Sequence, residues 1–246
     1  MTVQDDVRER ELCRVFGLIW DQAHSRGGED AWLRLDVEGT EYRLSVEVKS
    51  TTGNTVSTAR DVSMEHIKRW RSKVFVIGFY DSKDKRPELQ RLLCLTPDDM
   101  ALWIDSIAAK VEPDYKIAQR ASRHLDLVDL HEVCGVKPAY SVEDAKRLHK
   151  AQWTAAQYIA AVDVKVDGRG MLSPTAMLSL LRLRAQYIAE RGATLNNPHI
   201  TSEHLKQFWG TNREARIDNA AATIRKLMTD FVQANPDHPA VATASP

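Results

Sequence analysis

Cysteine is scarce in this chain, with three residues in 246 (Cys13, Cys94 and Cys134) and no Cys-x-x-Cys pair. An odd, widely spaced set supports neither a disulfide framework nor a zinc finger, and it fits a reducing cytoplasm. Long apolar runs are missing too. No stretch approaches the roughly 20 apolar residues of a membrane span, and residues 1–11 are acidic and polar, unlike a signal peptide. Nor is there an excess of either charge, since 34 Lys and Arg balance 34 Asp and Glu. Residues 1–139 carry 21 basic and 24 acidic side chains and residues 140–246 carry 13 and 10, so any nucleic-acid surface is a local patch. The eight histidines show no His-x₃-His pair. Neither Gly27-Gly28 nor Gly168-Arg169-Gly170 has the spacing of a phosphate-binding loop, so no nucleotide cofactor is expected.

What is present suffices for a core. Residues of the hydrophobic set make up 43% of a 27.8 kDa chain, which suits one elaborated domain or two small ones. Leu12, Val15, Phe16, Ile19, Trp20 and Ala23 form a stripe at helical spacing, predicting a helix over 7–24 closed by Gly27-Gly28. Alternation then predicts strands over 31–37 and 42–51 joined by a turn at 38–41. Residues 62–72 read as a helix, 74–80 as a strand buried on both faces, 81–88 as a charged loop and 89–95 as a further strand. Thr96-Pro97 opens the next helix. Beyond residue 140 the pattern is helical: 141–161 from a Ser141/Asp144 capping box, then 174–191, 202–209 and 212–232. The expectation is an α/β (α+β) domain over 1–139 with a mixed central sheet, a helical domain over 140–233 and a disordered tail over 234–246.

One segment concentrates chemistry. Alternation puts Glu47 and Lys49 on one face of the second strand, and Asp36 on the same face of the first. Two carboxylates held together call for a cation, and a hard one such as Mg²⁺ takes one or two carboxylates with phosphate oxygens. A neighbouring lysine can orient a water or stabilise charge developing at phosphorus. Acid-x-Lys occurs five times in the chain, and among the others only Asp163-Val-Lys165 sits in an alternating stretch. From spacing alone, a solvated hairpin face explains the pattern equally well.

Asp36 and Glu47-Val-Lys49, followed by a helix and a buried strand, resemble the core of the PD-(D/E)XK nuclease superfamily. From Lys49-Ser50 through Val56-Ser57-Thr58, residues 64–71, residues 73–80 and Leu95-Thr-Pro-Asp-Asp-Met100, the order and spacing are similar to those of a type II restriction endonuclease. The likeness covers roughly residues 30–110. It implies that Asp36 and Glu47 bind one or two Mg²⁺ ions, that Lys49 assists the attacking water, and that Ser57, Thr58, Arg60 and Asp61 read bases of double-stranded DNA. Leu35 stands where the motif's name has a proline, and Ala59-Arg60-Asp61 replaces histidines of the relative. A homodimer is implied, one subunit cutting each strand.

Other residues carry open alternatives. Arg60 can read a guanine edge and Asp61 a cytosine amine; a loop ion pair or a helix N-cap uses them equally well. Lys68, Arg69, Arg71 and Lys73 form the densest basic cluster, suited to phosphates or to a solvated helix face. Glu11 is either an auxiliary acid or part of an exposed charged helix. Residues 202–232 have the outline of a helix-turn-helix, with Arg213 and Arg216 as a second DNA contact. The rival functions are a junction or repair nuclease on the same core and a non-catalytic helix-turn-helix DNA-binding protein.

Overall fold

The structure, a computed structural model, describes residues 4–20, 29–81 and 87–241. In chain order the elements are α1 (Gln4–Phe16), β1 (Ile19–Trp20), β2 (Ala31–Val37), β3 (Thr40–Thr51), β4 (Val56–Ser57), α2 (Met64–Trp70), β5 (Val74–Asp81), β6 (Glu88–Leu95) and α3 (Pro97–Arg123). There follow α4 (Leu127–Cys134), α5 (Val142–Leu148), α6 (Ala155–Ala160), β7 (Val164–Val166), β8 (Arg169–Met171), α7 (Pro174–Gly192), β9 (His199–Ile200), α8 (Ser202–His204), β10 (Glu214–Ala215) and α9 (Ala220–Ala234). The fold is mixed α/β, as expected. Its division is not at 139/140. One compact unit comprises Met1–Lys110 with Leu195–Pro246, and the other is Val111–Thr194. The helical segment is thus an insertion, after which the chain returns to complete the first unit.

In the first unit, the described strands form a sheet of order β1-β2-β3-β5-β6-β10. The β3–β5 pair is parallel and the other pairs are antiparallel. A parallel pair cannot be joined by a tight turn, and α2 lies in the connection from β3 to β5. One sheet face, through Leu33, Leu44, Val46, Val48, Val74 and Val76, shares a core with Leu12 and Phe16 of α1 and Ile224 and Met228 of α9. On the other face Phe75 meets Trp70 of α2 at 6.3 Å between ring centroids, and Trp70 meets Trp103 of α3 at 5.5 Å. Each such buried side chain is worth roughly 1.5–3 kcal/mol.

Several sequence expectations shift here. The first helix stops at Phe16 because Gly17 takes φ +64 and the Leu18 amide donates to the Cys13 carbonyl. Ile19 and Trp20 then join the sheet edge, and residues 21–28, including Ala23 and Gly27-Gly28, lie outside the described residues. The helix expected from 212 begins at Ala220, because Glu214 and Ala215 instead pair with Leu93 and Leu92 at the free edge of β6. That removes the helix-turn-helix over 202–232. The tail is ordered at least to Val241: Ala240 is buried in the core and the His238 ring packs on Phe231 at 5.2 Å.

The second unit has its own core of Leu130, Tyr140, Ala145, Tyr158, Leu172 and Met177. The helix expected over 141–161 is two helices. The α5 helix opens on the Ser141 capping box and ends at His149, and α6 opens on Thr154, leaving 150–153 as the turn. β7 and β8 form a hairpin across Asp167 and Gly168, both at positive φ, the backbone of a tight primed turn. Tyr140 and Leu172 exchange backbone hydrogen bonds at 2.8 Å each. The α7 helix starts at Pro174, its Ser173 cap accepting from the Ala176 amide at 3.2 Å.

Candidate functional site

The β2–β3 hairpin turns through two residues, Glu38 and Gly39, both at positive φ, because Val37 already pairs with Thr40. That turn sets the register. Asp36 therefore pairs with Glu41, and Ala31 pairs with Val46. Glu41 and Glu47 are six positions apart, which is roughly 20 Å of strand. Asp36 and Glu47 do share a sheet face, yet they are not neighbours, and this corrects the expectation. Asp36 is exposed and its Oδ1 accepts from the Gly39 amide at 3.0 Å, closing the turn. Between the two acids on that face, Arg34 pairs with Glu41 and Arg43 covers the Trp32 ring.

The acid beside Glu47 is Asp30. It immediately precedes β2, and since Ala31 faces Val46, Asp30 falls next to Glu47. The Val48 amide and Lys49 Nζ both donate to Asp30 Oδ2, at 3.0 and 3.4 Å. Lys49 Nζ also lies 2.8 Å from Glu47 Oε1, while Lys73 Nζ lies 2.8 Å from Glu47 Oε2 and 3.1 Å from Glu29 Oε2. The Ser45 hydroxyl donates to Glu29 as well. Asp30, Glu47 and Lys73 are all buried, at 9, 8 and 5% exposure. Burial opposes ionisation of Glu47, but the two lysines more than offset it and hold its carboxyl down at about 2. Burial likewise opposes the charge on Lys49 and Lys73, and the carboxylates around them raise both above the ordinary lysine value. All three are charged at neutral pH.

The first helix contributes through Glu9. Its charge acts on Lys49 and on Cys13, whereas Glu11 accepts from the Tyr80 hydroxyl at 3.0 Å. Glu11, the expected auxiliary acid, is thus a hydrogen-bond partner of Tyr80. Burial, followed by the charges of Glu9 and Asp30, pushes the Cys13 thiol up to about 12, so it is core and no nucleophile.

The DNA-contact candidates divide. Lys73 is an internal ion-pair partner, not a surface cation. Arg71 is paired with Asp105 at 2.6 Å, and Lys68 is exposed on α2. Arg69 is half-buried on the same helix. Thr58 is buried and its hydroxyl donates to the Pro198 carbonyl at 2.6 Å, which removes it from base reading. Ser57, Arg60 and Asp61 are exposed, and the cap of α2 is Ser63, not Asp61. Arg213 donates to Asp99 at 2.8 Å and Arg216 to Asp218. Of the rival acid-x-Lys pair, Asp163 accepts from the Ser173 amide and hydroxyl.

Sequence reasoning missed what accompanies Ser57. β4 pairs antiparallel with β9, placing His199 opposite Ser57, and the Val62–Leu195 bridge extends the ribbon. His199 Nδ1 and Asn197 Nδ2 each lie 3.4 Å from Ser57 Oγ. These residues are about 140 positions away in the chain, so no local pattern joins them. A separate cleft of about 610 Å³, lined by Thr52, Asn54, Arg91 and Lys206 among others, contains none of the predicted site residues.

No family model matches the chain, and neither does any curated protein sequence. The site therefore stands on its chemistry. Among the described residues no group of three His, Cys, Asp or Glu side chains forms a metal cage. A Mg²⁺ ion shared with a phosphate does not require one, because two carboxylates with phosphate and water oxygens complete its shell. The carboxylates of Asp30 and Glu47, which share the Lys49 ammonium, are oxygen ligands of the kind that demand calls for. No helix among the described residues is long and apolar enough to cross a membrane.

Proposed function

We propose that this protein is a Mg²⁺-dependent endonuclease of double-stranded DNA, of the type II restriction class, with Asp30, Glu47 and Lys49 at its reacting centre. The observation that carries the reading is the meeting of Asp30, Glu47 and Lys49 at one place on adjoining strands. The chain order of helix, three-strand meander, helix and parallel strand agrees with the resemblance to the PD-(D/E)XK core.

Asp30 and Glu47 would hold the cation. When bound, Mg²⁺ supplies Lewis-acid polarisation of the scissile phosphate and lowers the pKa of a bound water. Lys49 stays an ammonium at neutral pH, so its part is to donate hydrogen bonds to the attacking water and to the charge growing on phosphorus, not to take a proton. Lys73 keeps Glu47 ionised and fixes the direction of its carboxylate, which is pre-organisation by a residue away from the substrate. The ribbon of β4 and β9, presenting Ser57, Asn197 and His199, is of a width that the major groove admits. Phosphate contact falls to exposed Lys68 and Arg60. A homodimer, one subunit per strand, suits a two-fold symmetric target.

The test is digestion of unmethylated plasmid and phage DNA by purified protein with Mg²⁺, beside EDTA and Lys49→Ala. Discrete fragments that vanish in both controls are expected. Intact DNA on all substrates, with binding unchanged by Lys49→Ala, would favour a non-catalytic DNA-binding protein, and cutting at junctions alone would favour a repair nuclease.

A further inference from the structure

The second unit has a connectivity that the nuclease reading does not use. Its order is α4, the short extended stretch at Tyr140, α5, α6, then the β7–β8 hairpin, with Leu172 after β8 returning to bond with Tyr140. Helix, strand, two helices and a two-stranded wing whose last strand pairs with the first is the layout of a winged helix-turn-helix. The turn between the caps of α5 and α6 is the four residues 150–153, within the length such motifs use. Lys150 and Ala151 both take positive φ to make it. Three rings fix the angle of the pair: His149 and Trp153 lie 4.9 Å apart, and Trp153 and Tyr158 5.4 Å. Tyr158 is the side chain by which α6 enters the core.

The rest of α6 faces outward. Ala155, Ala156, Gln157, Ile159 and Ala160 are all exposed, Ile159 at 67%. Small residues allow a helix backbone to approach the floor of a groove, and alanine and isoleucine suit thymine methyl groups. Gln157 Oε1 accepts from the Thr154 amide and hydroxyl, which leaves its amide nitrogen as an outward donor. Charge around this face is complementary to phosphate. Glu143 is paired with Lys146 and Asp144 with Lys137 and Arg147, while Asp163 is held by hydrogen bonds from Ser173 and keeps its charge. Lys150 in the turn and Lys165 and Arg169 on the wing make no ion pair among the described residues, against two exposed acids without a cationic partner, Asp163 at the start of the wing and Asp167 at its tip.

We propose that residues 111–194 form a second DNA-binding site, in which α6 enters the major groove of duplex DNA and Lys150, Lys165 and Arg169 contact the flanking phosphates. This site is independent of the nuclease centre. It also relocates the helix-turn-helix that the sequence had suggested at 202–232.

The test is fluorescence anisotropy of the full-length protein on a labelled 40-bp mixed-sequence duplex in EDTA, so that hydrolysis does not intervene. Two variants approach from different elements: Lys165→Ala/Arg169→Ala on the wing, and Ala156→Glu on the exposed face of α6. The expected result is roughly 10-fold weaker binding in each. The wing variant should also lower the log–log salt slope by about 1.8, as two lost phosphate contacts demand. Thermal midpoints should stay unchanged, since every altered side chain is exposed. Unchanged affinity and slope in both variants would overturn the proposal and assign the Ile159 face to a protein partner. Cleavage with Mg²⁺ is read separately, so loss of one reading leaves the other standing.

Discussion

Lys73 Nζ lies 2.8 Å from Glu47 Oε2 in a buried position, and the same ammonium reaches Glu29 at 3.1 Å. This residue stood among the basic side chains expected to grip DNA. Its burial makes it part of the internal charge balance of the site. Complete breaking of a buried pair costs about 3–5 kcal/mol. Without Lys73, Glu47 keeps Lys49 at 2.8 Å, so a cost of about 2–3 kcal/mol is expected. Lys73→Ala should therefore lower unfolding free energy in urea by about that amount. A change below about 1 kcal/mol would mean that the pair is not buried in solution.

Glu47 gives stability a defined dependence on acid. Its carboxyl falls from the ordinary 4.5 to about 2 because Lys49 and Lys73 outweigh burial. A carboxyl depressed by folding contributes stability above its unfolded value, and the contribution is lost as pH falls through the folded one. Stability should decline between about pH 4.5 and pH 2. Thermal melts of Glu47→Gln should start from a lower midpoint at pH 7 and lose less over that interval than the wild type.

The seat of α1 on the sheet depends on Gly78. A methyl group there would lie 2.5 Å from Leu12 Cδ2 and 3.0 Å from Cδ1, and Leu12 is fully buried. Overpacking of this kind costs typically about 1–3 kcal/mol. Gly78→Ala should shift the urea midpoint down accordingly. Adding Leu12→Ala should recover part of the loss, as expected for a cycle between touching residues.

The β4–β9 ribbon predicts a separation of specificity from chemistry. His199→Ala removes a side chain near Ser57 and leaves Asp30, Glu47 and Lys49 untouched. Cutting at the preferred site should fall by roughly 10-fold, consistent with about 1–3 kcal/mol for a base contact. Mg²⁺-dependent cutting of non-preferred sites should persist. Equal loss at all sites would place His199 outside base reading.

How much of this the sequence disclosed depends on how local each feature is. Alternation in 31–37 and 42–51 assigned faces correctly, since side chains on a strand have a period of two. It left register open, because any even slip preserves the faces. Thr40 and Glu41 look like turn residues, yet they pair, and that tightening moves Asp36 opposite Glu41 and brings Asp30 to Glu47. The pairing of Glu214 with Leu93 and of His199 with Ser57 joins segments more than 100 residues apart. Nothing in either segment signals the other, so the return of the chain after Thr194 could not be read. The capping boxes at Ser141 and the Ser173-Pro174 start were legible because they are complete within four residues. The break between α5 and α6 rests on positive φ at Lys150 and Ala151, residues with no intrinsic preference for it.

The central claim is that Asp30, not Asp36, shares the reacting centre with Glu47 and Lys49. The most direct measurement is the initial rate of Mg²⁺-dependent cleavage of one plasmid site by Asp30→Asn and Asp36→Asn, side by side with wild type. The account predicts a loss of about 100-fold or more for Asp30→Asn, the scale of removing a group that acts on transition-state charge, and a rate within about twofold of wild type for Asp36→Asn. A full rate in Asp30→Asn with loss of cleavage in Asp36→Asn would contradict it.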